Sequence, residues 1–147
     1  MSPQPSRHAD AIAAFVAFFE HLKPEDLARL DRFYTEDAFF KDPFNEVRGL
    51  AAIRAIFAHM FDSLQSPRFR VLDVVAQDAQ CFLTWDFNFA LRGQPLRIHG
   101  ASHLRLADDS RVAYHCDYWD AAEQLWEKVP LLGALLRWLR GRLRVAV

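Results

Sequence analysis

Three short segments of this chain carry side chains able to move protons. Asp42 stands between the aromatic run Phe39-Phe40 and the pair Pro43-Phe44. A carboxylate in apolar surroundings has a raised pKa and can act as a proton shuttle, although Asp before Pro is also a turn former. His115-Cys116-Asp117 sets an imidazole and a carboxylate two residues apart, on the same side of any strand. Ser102 could complete a Ser-His-Asp set with them. However, His115 and Asp117 point the same way from one strand rather than in relay, and no Gly-x-Ser-x-Gly elbow surrounds Ser102. His-x-Asp also begins a facial-triad iron site, but no histidine follows Asp117 to complete it, so no metal is expected. No P-loop or Gly-x-Gly-x-x-Gly segment is present, and no cofactor is expected. His8, His21 and His59 have no partner spacing and read as structural.

Elements that could position these groups follow from hydrophobic periodicity. Ile12, Phe15, Val16, Phe19 and Leu22 make one stripe of a helix over 7–21. Pro24, followed by Glu25 and Asp26, suits the first turn of a short second helix whose apolar face is Leu27, Leu30, Phe33 and Tyr34. A short strand over 38–41 ends at Asp42-Pro43. Gly49 precedes a third helix over 50–64, with Ile53, Ile56, Phe57, Met60 and Phe61 on its inner face.

Beyond Pro67 the period changes to two. Segments 68–76, 81–92, 96–107 and 111–119 read as an antiparallel meander with short turns. Leu83, Trp85, Phe87, Phe89 and Leu91 share one face of the second of these strands. Ile98, Ser102, Leu104 and Leu106 share one face of the third, with Arg97, His99, His103 and Arg105 opposite. In the fourth, alternation makes Val112, Tyr114, Cys116 and Tyr118 the more apolar row, which turns His115 and Asp117 outward. Helices followed by a curled antiparallel sheet make an α+β domain.

Composition bounds the rest. The chain has 147 residues, 52% of them hydrophobic, enough for one domain and its core. Eighteen Lys and Arg against nineteen Asp and Glu give a net charge of −1, which argues against a generally basic nucleic-acid binder. Two cysteines make no disulfide framework, no apolar run reaches the ~20 residues of a membrane span, and the N-terminus lacks a secretory signal. A cytoplasmic location is therefore expected. Thirteen Phe, four Trp and three Tyr require either a very aromatic core or an aromatic-lined cavity.

Residues 129–147 differ from the remainder. They hold Arg137, Arg140, Arg142 and Arg144 and no acid, leaving fourteen basic and nineteen acidic residues, or −5, elsewhere. With Leu131, Leu132, Leu135, Leu136, Trp138, Leu139 and Leu143 they form a basic, apolar helical extension. Packing over the sheet or across a dimer accounts for its leucines and is the favoured reading; the alternative is a surface helix on anionic lipid.

Phe33-Tyr34-Thr35-Glu36-Asp37-Ala38, then Lys41-Asp42-Pro43-Phe44-Asn45, then Arg48-Gly49 and a helix resemble the ketosteroid isomerase and SnoaL-like polyketide cyclase group of the NTF2-like superfamily. Leu104-Arg105-Leu106, an Asp-rich turn, Arg111-Val112 and Tyr118-Trp119 resemble that fold's last two strands. The resemblance spans about residues 8–122. It implies one NTF2-like domain over 1–147, with 129–147 as an extension: a cone in which a bent antiparallel sheet wraps around helices and opens onto an apolar pocket. Homodimers that pair through the outer sheet face are common in the group.

The resemblance also implies roles. Asp42 matches the proton-transferring aspartate of the isomerases. Their oxyanion donors, a tyrosine and a protonated aspartate, fall here on Phe18 and Ser102, so a fast steroid isomerase is not expected. Against the bare alternation, His115, Asp117 and Trp119 would point inward. The expected set is catalytic Asp42, His115 and Asp117, with Phe18, Tyr34, Phe57, Trp85, Phe87, Ser102 and Trp119 against an apolar ligand of polyketide, steroid or terpenoid size. The activity expected is cofactor-independent isomerisation or cyclisation. A non-catalytic ligand-binding or dimeric assembly domain, with the basic helix as a partner or membrane-surface anchor, is the alternative.

Overall fold

A computed structural model describes residues 6–125 and 132–144. The N-terminal lead-in through residue 5, the start of the predicted tail at 129–131 and its end at 145–147 lie outside the described residues. Ile12, Phe15, Phe18 and Phe19, at three- and four-residue spacing, form the buried face of helix α1, Ala9–Glu20. Pro24–Arg32 is a 3₁₀ helix that buries Leu27 and Leu30. The sheet comprises β1 (Tyr34–Lys41), β2 (Glu46–Arg48), β3 (Gln65–Gln77), β4 (Gln80–Leu91), β5 (Gln94–Leu106) and β6 (Val112–Tyr118). Helix α2 spans Leu50–Ser63; short α3 (Ala121–Gln124) and α4 (Leu132–Leu143) follow the sheet.

The strand order is β2-β1-β6-β5-β4-β3. β3 to β6 form the expected antiparallel meander, and β1 adds to it by pairing parallel to β6. This pairing corrects one expectation. Tyr34 does not extend the second helix: the backbone N–H of Val112 donates to the carbonyl of Phe33 at 2.7 Å, and Tyr34 begins β1 opposite Val112. A cross-strand partner outweighs a last turn of helix, and it brings the Tyr34 phenol against β6.

β6 carries the second departure. Val112 pairs with Leu106 and Tyr114 with Arg105, adjacent residues on β5, so Ala113 is an extra residue in the ladder. Such a bulge reverses the phase of everything beyond it. Val112 therefore faces the core, and so do His115, opposite Leu104, and Asp117, opposite Ser102. Tyr118 is exposed and Tyr114 half-buried on the outer side, although Cys116 remains buried there. Unbroken alternation would have turned His115 out into water.

α1 and α2 cover the concave face of the sheet, and the core beneath them is ring-rich: Phe15, Phe19, Tyr34, Phe40, Phe57 and Trp85 are all buried. Each such side chain contributes about 1.5–3 kcal/mol by burial. Gly100 lies directly across from Trp85. A Cβ there would stand 2.5 Å from Cη2 of the indole, so only glycine lets the Trp85 ring lie flat on β5.

Replacing Gly100 with alanine should displace that ring and destabilise the fold by about 1–3 kcal/mol. The urea midpoint should fall with an unchanged slope; an unaltered midpoint would show that the contact is not limiting.

Candidate functional site

Trp85 on β4, Ser102 on β5, His115 and Asp117 on β6 and Tyr34 on β1 meet beneath α1 in one hydrogen-bonded chain. Trp85 Nε1 donates to Ser102 Oγ at 2.8 Å, and Ser102 Oγ donates to Asp117 Oδ1 at 2.5 Å. His115 Nε2 lies 2.6 Å from the same Oδ1, and His115 Nδ1 lies 2.7 Å from Tyr34 Oη. The side chains of His115 and Asp117 are 7% and 16% exposed, and Tyr34 is fully buried.

The proton positions follow from the inventory of donors. An indole N–H can only donate, so the hydroxyl of Ser102 is turned toward Asp117. A carboxylate can only accept, so His115 donates to Asp117 from Nε2 and accepts a hydrogen bond from the Tyr34 hydroxyl at Nδ1. Burial, and next the charge of Asp117, push the Tyr34 pKa well above its ordinary value, which keeps the phenol a donor. Every link therefore runs toward Asp117. Oδ1 receives two donors, while Oδ2 has no hydrogen-bond partner among the described residues.

Asp117 lies where two cavities adjoin. The inner one, about 40 Å³, is lined by Phe15, Phe19, Trp85, Ser102 and His115. The larger one, about 260 Å³, is bounded by Phe57, Met60, Phe69, Phe87, Phe89, Trp119 and Leu125, and its walls are mostly apolar. Phe57, Phe69, Trp85 and Asp117 border both.

The structure distributes the remaining predicted residues unevenly. Asp42 also borders the larger cavity, but its Oδ1 accepts the backbone N–H groups of Phe44 at 2.8 Å and Asn45 at 2.7 Å, and the Asn45 amide lies 3.1 Å from both oxygens. This is an Asx turn. No hydrogen bond joins Asp42 to His115 or Asp117 among the described residues. Phe18 borders neither cavity, since it faces the 3₁₀ helix and stacks on Phe33 with ring centroids 4.2 Å apart. One turn earlier, Phe15 lies closer to His115, 6.2 Å between rings. Tyr34 touches the site through its hydroxyl rather than as a cavity wall.

Gly100, Phe15, Met60 and Phe69 were not anticipated as site residues. Only Gly100 left a signal, as a glycine inside a strand pattern. Burial pushes the Cys81 thiol up to about 11, so it holds no nucleophile. Among the described residues no group of three or more His, Cys, Asp and Glu could hold a metal ion.

The SnoaL-like domain profile matches residues 15–115. No curated protein sequence matches the chain. Similar solved structures include a candidate SnoaL-like polyketide cyclase from Jannaschia sp. CCS1 (TM-score 0.72, 13% identity, 83% of this chain and 94% of that one). An LEH-like epoxide hydrolase of M. tuberculosis aligns over 100% of both chains (TM-score 0.67, 14% identity). A hypothetical protein with a ketosteroid isomerase-like fold from Catenulispora acidiphila covers 82% of this chain and 92% of its own (TM-score 0.67, 14% identity). At such identities the likeness is one of fold.

Replacing Tyr34 with phenylalanine leaves His115 Nδ1 buried without its donor and should cost about 1–3 kcal/mol at neutral pH. The folded state also holds the Tyr34 proton past the pH at which an unfolded tyrosine loses it, near 10. Above that pH the unfolded state binds fewer protons, so stability falls as pH rises. Urea titrations should show this alkaline decline, shallower in Tyr34→Phe; equal declines would remove Tyr34 as its source.

Proposed function

The chain belongs to the SnoaL-like domain family, and from that premise we propose that it binds an apolar carbonyl compound and removes a proton beside the carbonyl, with Asp117 as the base. The observation that carries this reading is the geometry of one carboxylate. Ser102 and His115 hold Oδ1 and orient the group, Oδ2 accepts no hydrogen bond among the described residues, and Asp117 lines both aromatic cavities. Asp42, whose Oδ1 is tied to two backbone N–H groups, is a turn cap in this reading and not the base.

The chemistry is a proton transfer with no added group. Asp117 takes the proton from the carbon next to the carbonyl, and the electron pair passes into an enolate. Return of the proton at another carbon gives an isomer; attack of the enolate on a second carbonyl forms the C–C bond, and the resulting alkoxide takes the proton back from Asp117 to give a cyclised aldol. His115, held by Tyr34 at one ring nitrogen and by Asp117 at the other, is the positioning residue for the carboxylate. Neither residue at the isomerases' oxyanion-donor positions supplies a free donor here: Phe18 has none, and the Ser102 proton is committed to Asp117. The substrate must therefore be acidic by itself, as a β-dicarbonyl is, because an oxyanion hole commonly supplies several kcal/mol. Its size is bounded too. A cavity of 150 Å³ takes benzene, so 260 Å³ corresponds in proportion to about ten heavy atoms. That suits a monoterpenoid or a short polyketide unit better than a steroid.

The outer sheet face supports pairing with a second copy. Phe82 stacks on His103 at 4.3 Å, His103 meets Tyr114 at 5.4 Å, and Tyr114 stacks on Phe39 at 5.3 Å, a ring ladder whose end, Phe82, is half-exposed. A Phe82→Glu change should lower the mass measured by light scattering; a wild-type chain already monomeric would remove this assignment.

Proton abstraction is read by deuterium exchange into 2-tetralone, a bicyclic ketone of the size the cavity admits. Asp117→Asn should lower the catalysed exchange by about 10²–10⁴ and retain binding, whereas Asp42→Asn should keep most of it. Loss in Asp42→Asn with retention in Asp117→Asn would reassign the base. Binding without exchange by the wild type would leave ligand capture as the function.

A further inference from the structure

Helix α4 is amphipathic in a way the body of the protein does not use. At 100° per residue, Leu132, Leu135, Leu136, Leu139 and Leu143 fall in a stripe about 100° wide, with Trp138 on its flank. Among the described residues most of that stripe is exposed: Leu135 is 54% exposed, Trp138 55% and Leu143 83%. Residues 132–144 carry four arginines and no acid, against −5 for the chain outside the predicted tail. The Arg142 guanidinium lies over the Trp138 ring, 4.9 Å from its centroid, at the border between the apolar and charged sides.

The charge pattern selects what covers the stripe. A second copy of α4 would bring four more arginines against these four, and like charges repel at that range. An anionic lipid surface has the complementary sign and takes both faces at once, leucines among the acyl chains and arginines among the phosphates. The acidic body would be repelled by the same surface, which fixes which side of the protein approaches it.

Position adds a second line. Arg140 bridges to Glu123 of α3 at 2.9 Å, and Leu125, directly after α3, lines the 260 Å³ cavity. We propose that α4 is an interfacial helix that docks the protein onto an anionic lipid surface with the apolar cavity beside it. An apolar ligand dissolved in the bilayer then reaches the cavity without first crossing bulk water. The docking itself is independent of whether Asp117 performs catalysis.

The test is co-sedimentation of the full chain with vesicles of phosphatidylcholine containing roughly one third phosphatidylglycerol. Binding is expected at low salt, with loss in about 1 M salt, where charges are screened within ~3 Å, and none to phosphatidylcholine alone. Arg142→Glu with Arg144→Glu should reduce the partition coefficient about tenfold or more. Leu135→Glu with Leu139→Glu, at exposed positions that leave thermal unfolding unchanged, should abolish it. A blue shift of tryptophan fluorescence on vesicles should disappear in Trp138→Phe. No sedimentation of the wild type overturns the proposal, as does undiminished binding of the leucine pair, which would show electrostatic adsorption alone. A smaller mass for the leucine pair by light scattering, with no vesicle binding by the wild type, would instead assign the stripe to a second copy.

Discussion

A buried imidazole with a hydrogen-bond partner on each ring nitrogen is the constraint around which the interior is arranged. His115 sits among Phe15, Phe19 and Phe40, and in such surroundings an unpaired polar nitrogen costs about 1–3 kcal/mol. Tyr34 meets one nitrogen and Asp117 the other. Those two contacts tie β1 to β6, and Ser102 and Trp85 extend the same network across β5 and β4. The chain thus crosses every interior strand of the sheet and ends on a single carboxylate. A network satisfied at each step is rigid, because displacing one member orphans the next.

That rigidity explains why Asp117, and not Asp42, suits proton transfer in the proposed reading. Both carboxylates border the larger cavity. Backbone N–H groups, however, hold Asp42 to the geometry of its own turn. Asp117 is held by side chains through one oxygen and lines both cavities without a loop being rebuilt. An Asp-Pro-Phe segment is thus compatible with two jobs, and the local turn chemistry favours the structural one here.

Apolar surface appears in two different settings in this molecule. Inside, rings line a cavity of limited volume beside a carboxylate. Outside, leucines on α4 are exposed next to arginines, and exposed apolar surface of that kind marks an interaction site. Among the described residues no helix is long and apolar enough to cross a membrane, and in the proposal α4 lies along the lipid surface. The link between the two settings is α3, which precedes the cavity-lining Leu125 and is bridged to α4 by Glu123 and Arg140.

Much of this was legible in the linear order of residues. Three-and-four spacing located α1 and α2, period two located the meander, and alternation put Trp85, Phe87 and Ser102 on the inner face, because those patterns are local consequences of backbone geometry. The family resemblance supplied the inward direction of His115 and Asp117. What alternation alone missed depends on pairing between distant segments. Tyr34 joined β1 because Val112 offered its carbonyl neighbour a partner, and the extra residue at Ala113 reversed the phase of β6 because β5 advances one residue where β6 advances two. The close contact of Trp85 with Gly100 likewise exists only across two strands. Residue types and spacing determined which groups were available for chemistry; tertiary structure decided which of them meet, since a hydrogen bond across four strands has no signature in the period of any one of them.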